Sequence, residues 1–146
     1  MVALVLVVHS TEVASGLAAM AAASAPGVPV TWAAGTDSGV LGTSAPAAAR
    51  AVRSALDAAP DGAVVLFDVN SAVFALELAF EDLSAADRER VRASRGPLVE
   101  GTLAGAIAAS GGAGLDEVLA ATEAACAQPK LPDDWPADGR PPAPWR

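Results

Sequence analysis

The sequence contains few of the residues on which disulfide-rich, aromatic or metal-binding sites depend. It has one cysteine, Cys126, one histidine, His9, and no tyrosine in 146 residues. An internal disulfide is therefore excluded, and because a lone thiol is typical of a reducing compartment, we expect a cytoplasmic protein in which Cys126 is a small packed residue. A cluster of histidine and cysteine ligands is excluded too, so we expect no metal and no cofactor. Sparse aromatic side chains also offer little for stacking a flavin.

Positive charge is also scarce. Nine basic residues against 17 acidic ones give a net charge of −8 at pH 7, and the first basic residue is Arg50. A phosphate backbone or an anionic membrane surface would repel such a chain, so we expect no nucleic-acid partner and no membrane insertion. Residues 2–8 are apolar, but no Lys or Arg precedes them and His9 and Glu12 follow closely, so we do not expect a cleaved secretion signal.

Short apolar runs alternate with segments of helical spacing. Residues 2–8, 28–33 and 63–67 are continuous apolar runs, which are typical of strands buried on both faces of a parallel sheet. A fourth strand is predicted over residues 88–94, where the charges require an exposed edge or a partner. We therefore predict an α/β fold with a doubly wound, mainly parallel sheet of about four strands and helices on both faces. In a flavodoxin-like order, strands one and three would be neighbours.

The predicted helices lie between and after these strands. We expect them to begin near Thr11, to span residues 46–58, to follow the third strand, to open at Pro97 and to span residues 115–126. Their predicted inward faces are apolar residues at steps of three and four: Val13, Leu17 and Met20; Val52 and Leu56; Val73, Leu76, Phe80 and Leu83; Val99, Leu103, Ala106 and Ile107. Residues 1–126 are predicted to form one domain. Residues 127–146 are predicted to be a proline-rich, flexible tail whose tryptophans, Trp135 and Trp145, have the bulk to dock on that domain.

Two candidate site residues follow neighbouring strands of the predicted sheet. His9 comes directly after the first strand and Asp68 directly after the third. Adjacent strands lie only about 4.8 Å apart, so the two side chains should meet at the carboxyl edge of the sheet. A carboxylate on one ring nitrogen would fix the tautomer and leave the other lone pair pointing outward as a nucleophile.

Three predicted helices begin around this pair, at Ser10 and Thr11, at Thr43 and Ser44, and at Ser71 and Ala72. Their free amides and positive dipole ends would favour an anion held at the ring. An imidazole nucleophile surrounded by amides, without metal ligands, indicates a phosphoryl acceptor.

Other interpretations of the same residues stay open. A histidine at a strand end is often a polar residue with a satisfied hydrogen bond, and an aspartate there often caps the next helix. The glycine-rich residues 35–44 have neither the lysine of a P-loop nor the glycine spacing of a dinucleotide fingerprint. A Ser-His-Asp triad is conceivable, but the chain has no G-x-S-x-G elbow.

The ordered motifs resemble one known family. They are Val5-Leu6-Val7-Val8-His9-Ser10, Ala34-Gly35-Thr36-Asp37 with Gly42-Thr43-Ser44, Leu66-Phe67-Asp68, Ser71-Ala72 and Gly96-Pro97-Leu98-Val99-Glu100-Gly101. Over roughly residues 1–125 the chain is similar to DhaM, the phosphotransfer subunits of phosphoenolpyruvate-dependent dihydroxyacetone kinases, and to the related mannose-class IIA (EIIA) domains of the sugar phosphotransferase system. Asn70 stands where we expect a glycine in this pattern.

The resemblance implies a phosphorelay in a cytoplasmic homodimer. The carrier protein HPr would phosphorylate Nε2 of His9, and the group would pass to ADP on the subunit DhaL, which serves dihydroxyacetone bound to DhaK. Asp68 would orient the ring, and the residues expected to bind the phosphoryl group are Ser10, Thr11, Thr36, Thr43, Ser71 and Ala72. The alternatives are an EIIA domain that serves a sugar transporter, and a noncatalytic regulator on the same fold.

Overall fold

The computed structural model describes residues 1–141, in which strands and helices alternate. The strands are β1 (Ala3–Val8), β2 (Val30–Ala34), β3 (Ala63–Phe67) and β4 (Val91–Ala93). The helices are α1 (Thr11–Ser24), α2 (Ala45–Ala58), α3 (Ala72–Glu81), α4 (Ala85–Glu89), α5 (Leu98–Ser110) and α6 (Leu115–Ala124), followed by a 3₁₀ turn at Ala125–Ala127. No helix of residues 1–141 is long and apolar enough to span a membrane.

The sheet order confirms the predicted fold class. The four strands lie in the order β2-β1-β3-β4, and every adjacent pair is parallel. The chain moves from β1 outward to β2 and then returns past β1 to β3, so the direction of winding reverses between β1 and β3. In such sheets ligands bind beyond the carboxyl ends of the strands at this reversal.

Strand β1 is the centre of the core. All six of its residues are buried, because alternate side chains face two different helical layers. Ala3, Val5 and Val7 pack with α2 and α3 on one face, whereas Leu4, Leu6 and Val8 pack with α1, α5 and α6 on the other. The end of β1 is therefore held from both sides, and so is the residue that follows it.

Two predicted strands differ from the structure. Residues 28–33 were expected to be buried on both faces, but β2 is an edge strand and Trp32 is exposed. Residues 88–94 were expected to form one strand, but the charged residues before Arg90 form the short helix α4, which Ser84 caps. Only three residues remain for β4, at the predicted edge of the sheet, where Arg92 reaches Asp116 at 3.1 Å.

The predicted inward faces of two helices were right only in part, with Leu17 and Ala106 buried as expected. In α1 the buried residues are Ala14, Leu17 and Ala21, while Val13 and Met20 are exposed. In α5 the inward face consists of Gly101, Thr102, Gly105, Ala106 and Ala109, while Val99 and Ile107 are exposed. A Cβ on Gly105 would lie 2.6 Å from Cγ2 of Thr122 in α6. The two helices pack so closely that this face accepts only small side chains.

The last described residues extend from the domain without a regular element. After the 3₁₀ turn, residues 128–141 form neither helix nor strand, and the Lys130 ammonium contacts the Glu100 carboxylate. Cys126 is exposed rather than packed, because α6 ends two residues before it. Trp135 is half-buried, and Trp145 lies outside the described residues. The division of the chain at residue 126 stays a prediction.

Candidate functional site

His9 and Asp68 lie side by side at the carboxyl edge of the sheet. Val7 pairs with Phe67 in the parallel register of β1 and β3, so each of the two side chains emerges just beyond its strand. Nδ1 of His9 lies 2.9 Å from Oδ1 and 3.0 Å from Oδ2 of Asp68. A carboxylate at this distance accepts a hydrogen bond from Nδ1–H, which leaves Nε2 as the unprotonated nitrogen.

The Asp68 carboxylate is held by two backbone amides as well as by the ring. The His9 amide donates to Oδ2 at 2.8 Å and the Val69 amide donates to Oδ1 at 2.9 Å. Partial burial acts to raise the pKa of Asp68, but the hydrogen bonds from His9 and Val69 outweigh it and hold that pKa below its ordinary value. Asp68 is therefore ionised at neutral pH and fixes the tautomer of the histidine.

The second ring nitrogen does not point freely outward as predicted. The Ser71 hydroxyl lies 3.0 Å from Nε2, and because the proton on Nδ1 is donated in a hydrogen bond to Asp68, this hydroxyl donates to the Nε2 lone pair. The segment between Asp68 and Ser71 folds back as a tight turn, with the Ala72 amide on the Val69 carbonyl at 3.0 Å. This turn brings the serine over the ring.

Ser71 differs from the other serines that begin helices. Ser10, Ser44 and Ser84 have extended backbone angles and accept a hydrogen bond from the third amide of their helix. Ser71 has helical angles (φ −65°, ψ −22°) and makes no capping bond. Its hydroxyl is directed to His9 instead.

The loop between β2 and α2 closes over the other side of His9. The Gly42 amide donates to the His9 carbonyl at 3.1 Å, and the Gly35 amide donates to the Val8 carbonyl at 3.4 Å. Gly42 has φ +150° and a Cβ there would lie 2.6 Å from the Thr36 methyl carbon, so the turn requires glycine. Thr43, half-buried, follows Gly42 and therefore lies at this edge of the site.

The remaining predicted phosphate-binding residues have varied surroundings. Ser10 caps α1 and donates to the Glu12 carboxylate at 2.6 Å, a bond that lowers the pKa of Glu12. Thr11 is exposed in the first turn of α1. The Thr36 hydroxyl bonds within its own loop, to Ser38 at 3.0 Å, and Ala72 is buried with its amide already bonded. The roles of these residues stay predictions.

Sequence reasoning missed two contacts of His9. The hydrogen bond from the Gly42 amide to the His9 carbonyl depends on the path of the β2–α2 loop, and no local sequence pattern specifies that path. The Ser71 hydroxyl on Nε2 was missed because a serine at a helix start is normally a cap. The spacing of Asp68 and Ser71 is the signal that could have predicted this contact. A separation of three residues fits a single tight turn between the end of β3 and the start of α3, and such a turn brings the serine back toward the histidine.

Apolar side chains surround this edge of the sheet. Val40 and Leu41 are exposed in the β2–α2 loop, and Val69 and Phe74 are exposed on either side of Ser71, with Leu41 and Phe74 more than two-thirds exposed. Exposed apolar groups concentrated at one site are typical of surfaces that bind other proteins.

Comparison with known proteins identifies the family of the chain. Residues 3–120 match the EIIA-man family model, described as the PTS system fructose IIA component. The chain is 37% identical over 123 residues to the PEP-dependent dihydroxyacetone kinase phosphoryl donor subunit DhaM of Klebsiella michiganensis, and 36% identical to DhaM of Escherichia coli K12. Each alignment covers 82% of this chain but only 26% of the relative, so the chain spans about a quarter of the length of these proteins.

A solved structure shares the fold. The crystal structure of EF1359, a protein of unknown function, superposes with a TM-score of 0.72 at 28% identity, covering 84% of this chain and 94% of that chain. The family match includes the first strand, the β2–α2 loop and the turn from Asp68 to Ser71, which together build the site described above. The chain therefore belongs to the EIIA-man family of the phosphotransferase system.

Proposed function

We propose that this chain is a phosphohistidine carrier that accepts a phosphoryl group from HPr on Nε2 of His9 and passes it to ADP bound on DhaL for the phosphorylation of dihydroxyacetone. The observation that carries the proposal is the contact of Asp68 with Nδ1, 2.9 Å long. This contact leaves the Nε2 lone pair as the nucleophile of the ring. The names of the DhaM relatives favour dihydroxyacetone as the final acceptor.

The chemistry uses the chain's own residues. The Nε2 lone pair attacks phosphorus, the bond from phosphorus to the donor atom breaks, and the positive charge that develops on the ring is balanced by the Asp68 carboxylate. Ser71 must first release Nε2, after which its hydroxyl can donate to a phosphoryl oxygen. The onward transfer reverses these events with ADP as the nucleophile.

The helix starts at the site supply a cradle for the phosphoryl group. Helix α1 begins two residues after His9, and the first amides of a helix have no partner within the helix. Ser10 and Thr11 at the start of α1, Thr36 and Thr43 in the β2–α2 loop, and Ser71 and Ala72 at the start of α3 are the residues proposed to surround the group. Amides and hydroxyls suit it because they stabilise negative charge without a metal.

Protein partners fit the surface around His9 better than a small donor does. The exposed apolar residues Val40, Leu41, Val69 and Phe74 flank the site, and a protein that delivers or removes the phosphoryl group would cover them. A homodimer is proposed for the whole assembly, since the resemblance to the family implies it.

The experiment that tests the proposal is phosphorylation by phosphoenolpyruvate, enzyme I and HPr. The wild-type chain should acquire one phosphoryl group that acid removes, as expected for a phosphohistidine, and His9→Ala should acquire none while keeping the circular dichroism spectrum of a folded chain. Addition of ADP-loaded DhaL should then discharge the carrier. An unlabelled wild-type chain in a mixture in which HPr is phosphorylated would refute the proposal.

A second candidate is an EIIA domain that serves a sugar transporter. The family description names the fructose IIA component, which favours this candidate. The two candidates share the phosphohistidine and differ in the acceptor. Phosphorylated chain that discharges to a transporter IIB component, and not to DhaL with ADP, would select the sugar transporter.

A further inference from the structure

The site contains a second side chain that can act as a nucleophile. Asp68, His9 and Ser71 form a continuous hydrogen-bonded chain, with 2.9 Å from carboxylate to Nδ1 and 3.0 Å from Nε2 to the serine Oγ. Ser71 is exposed, and its hydroxyl makes no capping bond to α3. A serine whose proton is directed at an imidazole that a carboxylate orients has the geometry of an activated nucleophile.

The geometry points to Ser71 as a covalent reaction site for small electrophiles with a good leaving group, namely activated carboxylic esters and fluorophosphonates. No G-x-S-x-G elbow is needed, because the turn from Asp68 to the start of α3 presents the hydroxyl in its place. This reactivity does not rest on the relay proposed above, since it uses the unphosphorylated histidine as a base.

The reaction balances with groups present in the site and in the reagent. Oγ of Ser71 attacks the acyl carbon, its proton moves to Nε2, the bond to the leaving alkoxide breaks, and the alkoxide takes the proton from Nε2. Water then hydrolyses the acyl-serine by the same base, which restores Ser71 and releases the acid. With a fluorophosphonate, the bond from Oγ to phosphorus forms and the phosphorus–fluorine bond breaks. The serine proton passes to Nε2 and from there to solvent, fluoride leaves, and the adduct is stable.

A cavity of about 320 Å³ lies near the site, between α3 and the carboxyl ends of β3 and β4, although Ser71 itself does not line it. Its lining includes the apolar residues Phe67, Val73, Leu76 and Phe80 and the charged residues Glu77 and Arg95. Phe67 directly precedes Asp68, and Val73 lies in the first turn after Ser71, so the cavity is at the same edge of the sheet. The helix starts that suit a phosphoryl group would also stabilise the oxyanion of an acyl intermediate.

The test is labelling of the whole chain with a fluorophosphonate probe, followed by mass spectrometry of the modified peptide. We expect one adduct, on Ser71, and its loss in Ser71→Ala. His9→Ala should slow labelling about 100-fold, the size of a typical general-base contribution. Ser84→Ala is the matched control, because it removes a helix-capping serine outside the site, and it should label at the wild-type rate.

Labelling of the phosphorylated chain distinguishes the reactivity of Ser71 from the phosphoryl relay. A phosphorylated Nε2 cannot accept the serine proton, so the carrier form should resist the probe. Absence of an adduct on folded wild-type chain, or an adduct that persists in Ser71→Ala, overturns the inference whether or not His9 becomes phosphorylated. A chain that labels on Ser71 but is not phosphorylated by HPr would refute the relay alone.

Discussion

At the scale of single residues, the main chain of His9 is fixed on both sides. Its amide donates to Asp68 at 2.8 Å, and its carbonyl accepts from Gly42 at 3.1 Å. The ring is then held at Nδ1 by Asp68 and at Nε2 by Ser71. An imidazole fixed in this way loses little freedom when it reacts, so the geometry favours transfer without a large rearrangement of the histidine.

We expect Asp68→Asn to destabilise the fold in a pH-dependent way. Because hydrogen bonds lower the pKa of Asp68 in the folded protein, its ionised form stabilises the fold above its ordinary pKa, and this contribution is lost as the pH falls through the folded value. The variant should lose about 1 kcal/mol of unfolding free energy at neutral pH. Urea denaturation at neutral and at strongly acidic pH should show the difference from wild type shrinking towards zero.

The same variant should be a poor phosphoryl acceptor. An asparagine cannot balance the charge that develops on the ring, so the initial rate of phosphorylation by HPr should fall at least about tenfold. Asp61→Asn, at an exposed carboxylate on the opposite edge of the sheet, is the control and should keep the wild-type rate. If Asp68→Asn is phosphorylated at the wild-type rate, the carboxylate does not balance the charge on the ring.

The residue-level contacts differ in how far the sequence predicts them. That His9 lies beside Asp68 follows from two strand ends, which hydrophobic patterns indicate, and from a strand order, which the topology of parallel sheets restricts. The position of Ser71 over Nε2 depends on the backbone angles of one residue, which decide whether its hydroxyl turns to the helix or to the ring. Asn70 stands where glycine was expected, and no non-glycine residue of the described chain has a positive φ. The turn therefore accepts asparagine without strain.

At the scale of elements, helices α5 and α6 pack closely, because the residues of α5 that face α6 include glycines. Gly101 and Gly105 face Thr122, whose hydroxyl bonds to Ser94 at 2.6 Å in the buried interior. The apolar pattern of α5 placed Ala106 correctly but placed the large residues Val99 and Ile107 wrongly, because large apolar side chains were assumed to be the buried ones. Close helix packing instead buries the smallest residues and leaves Val99 and Ile107 outside. Local periodicity does not encode the distance between two helices.

We expect two Gly→Ala substitutions to have opposite effects. In Gly105→Ala the new Cβ would lie 2.6 Å from the Thr122 methyl carbon, a stiff side chain, so the variant should lose about 1–3 kcal/mol of stability. In Gly16→Ala, in the middle of α1, nothing lies within 4 Å, so the variant should gain about 0.5–1 kcal/mol from helix propensity. Thermal or urea denaturation measures the change in stability of each variant relative to the wild type. A neutral or stabilising Gly105→Ala would contradict the close packing.

At the scale of the whole molecule, the chain order determines where the site lies. Because β1 is central and β3 returns beside it, the segments that follow these strands are brought together from positions far apart in the sequence. This topology was predictable, since parallel strands joined by helices have few allowed arrangements. The edge positions of β2 and β4 were harder to predict in detail, because apolar runs of equal length can be buried on one face or on both.

We expect the domain to fold without its last residues. The tail after Ala127 has no regular element in residues 128–141, and the one ion pair that joins these residues to the domain, Lys130 with Glu100, lies at the surface. A chain that ends at residue 127 should melt within about 4 °C of the full chain, because a surface ion pair contributes little. Circular dichroism melts compare the two chains, and a larger loss would show that the tail is part of the core.

The diverted hydroxyl of Ser71 has a consequence for the motion of α3. Among the helices of the described chain that follow a serine, α3 alone starts without a serine side-chain bond to its third amide. The Ala72 and Val73 amides are bonded to backbone carbonyls, so it is the Phe74 amide that should exchange with solvent faster than the capped amides of α1, α2 and α4. Once a phosphoryl group occupies Nε2, the serine is released from the ring and can turn back toward the Phe74 amide. Phosphorylation of the His9 imidazole would then change how often the first turn of α3 opens, and a docking partner can detect that change.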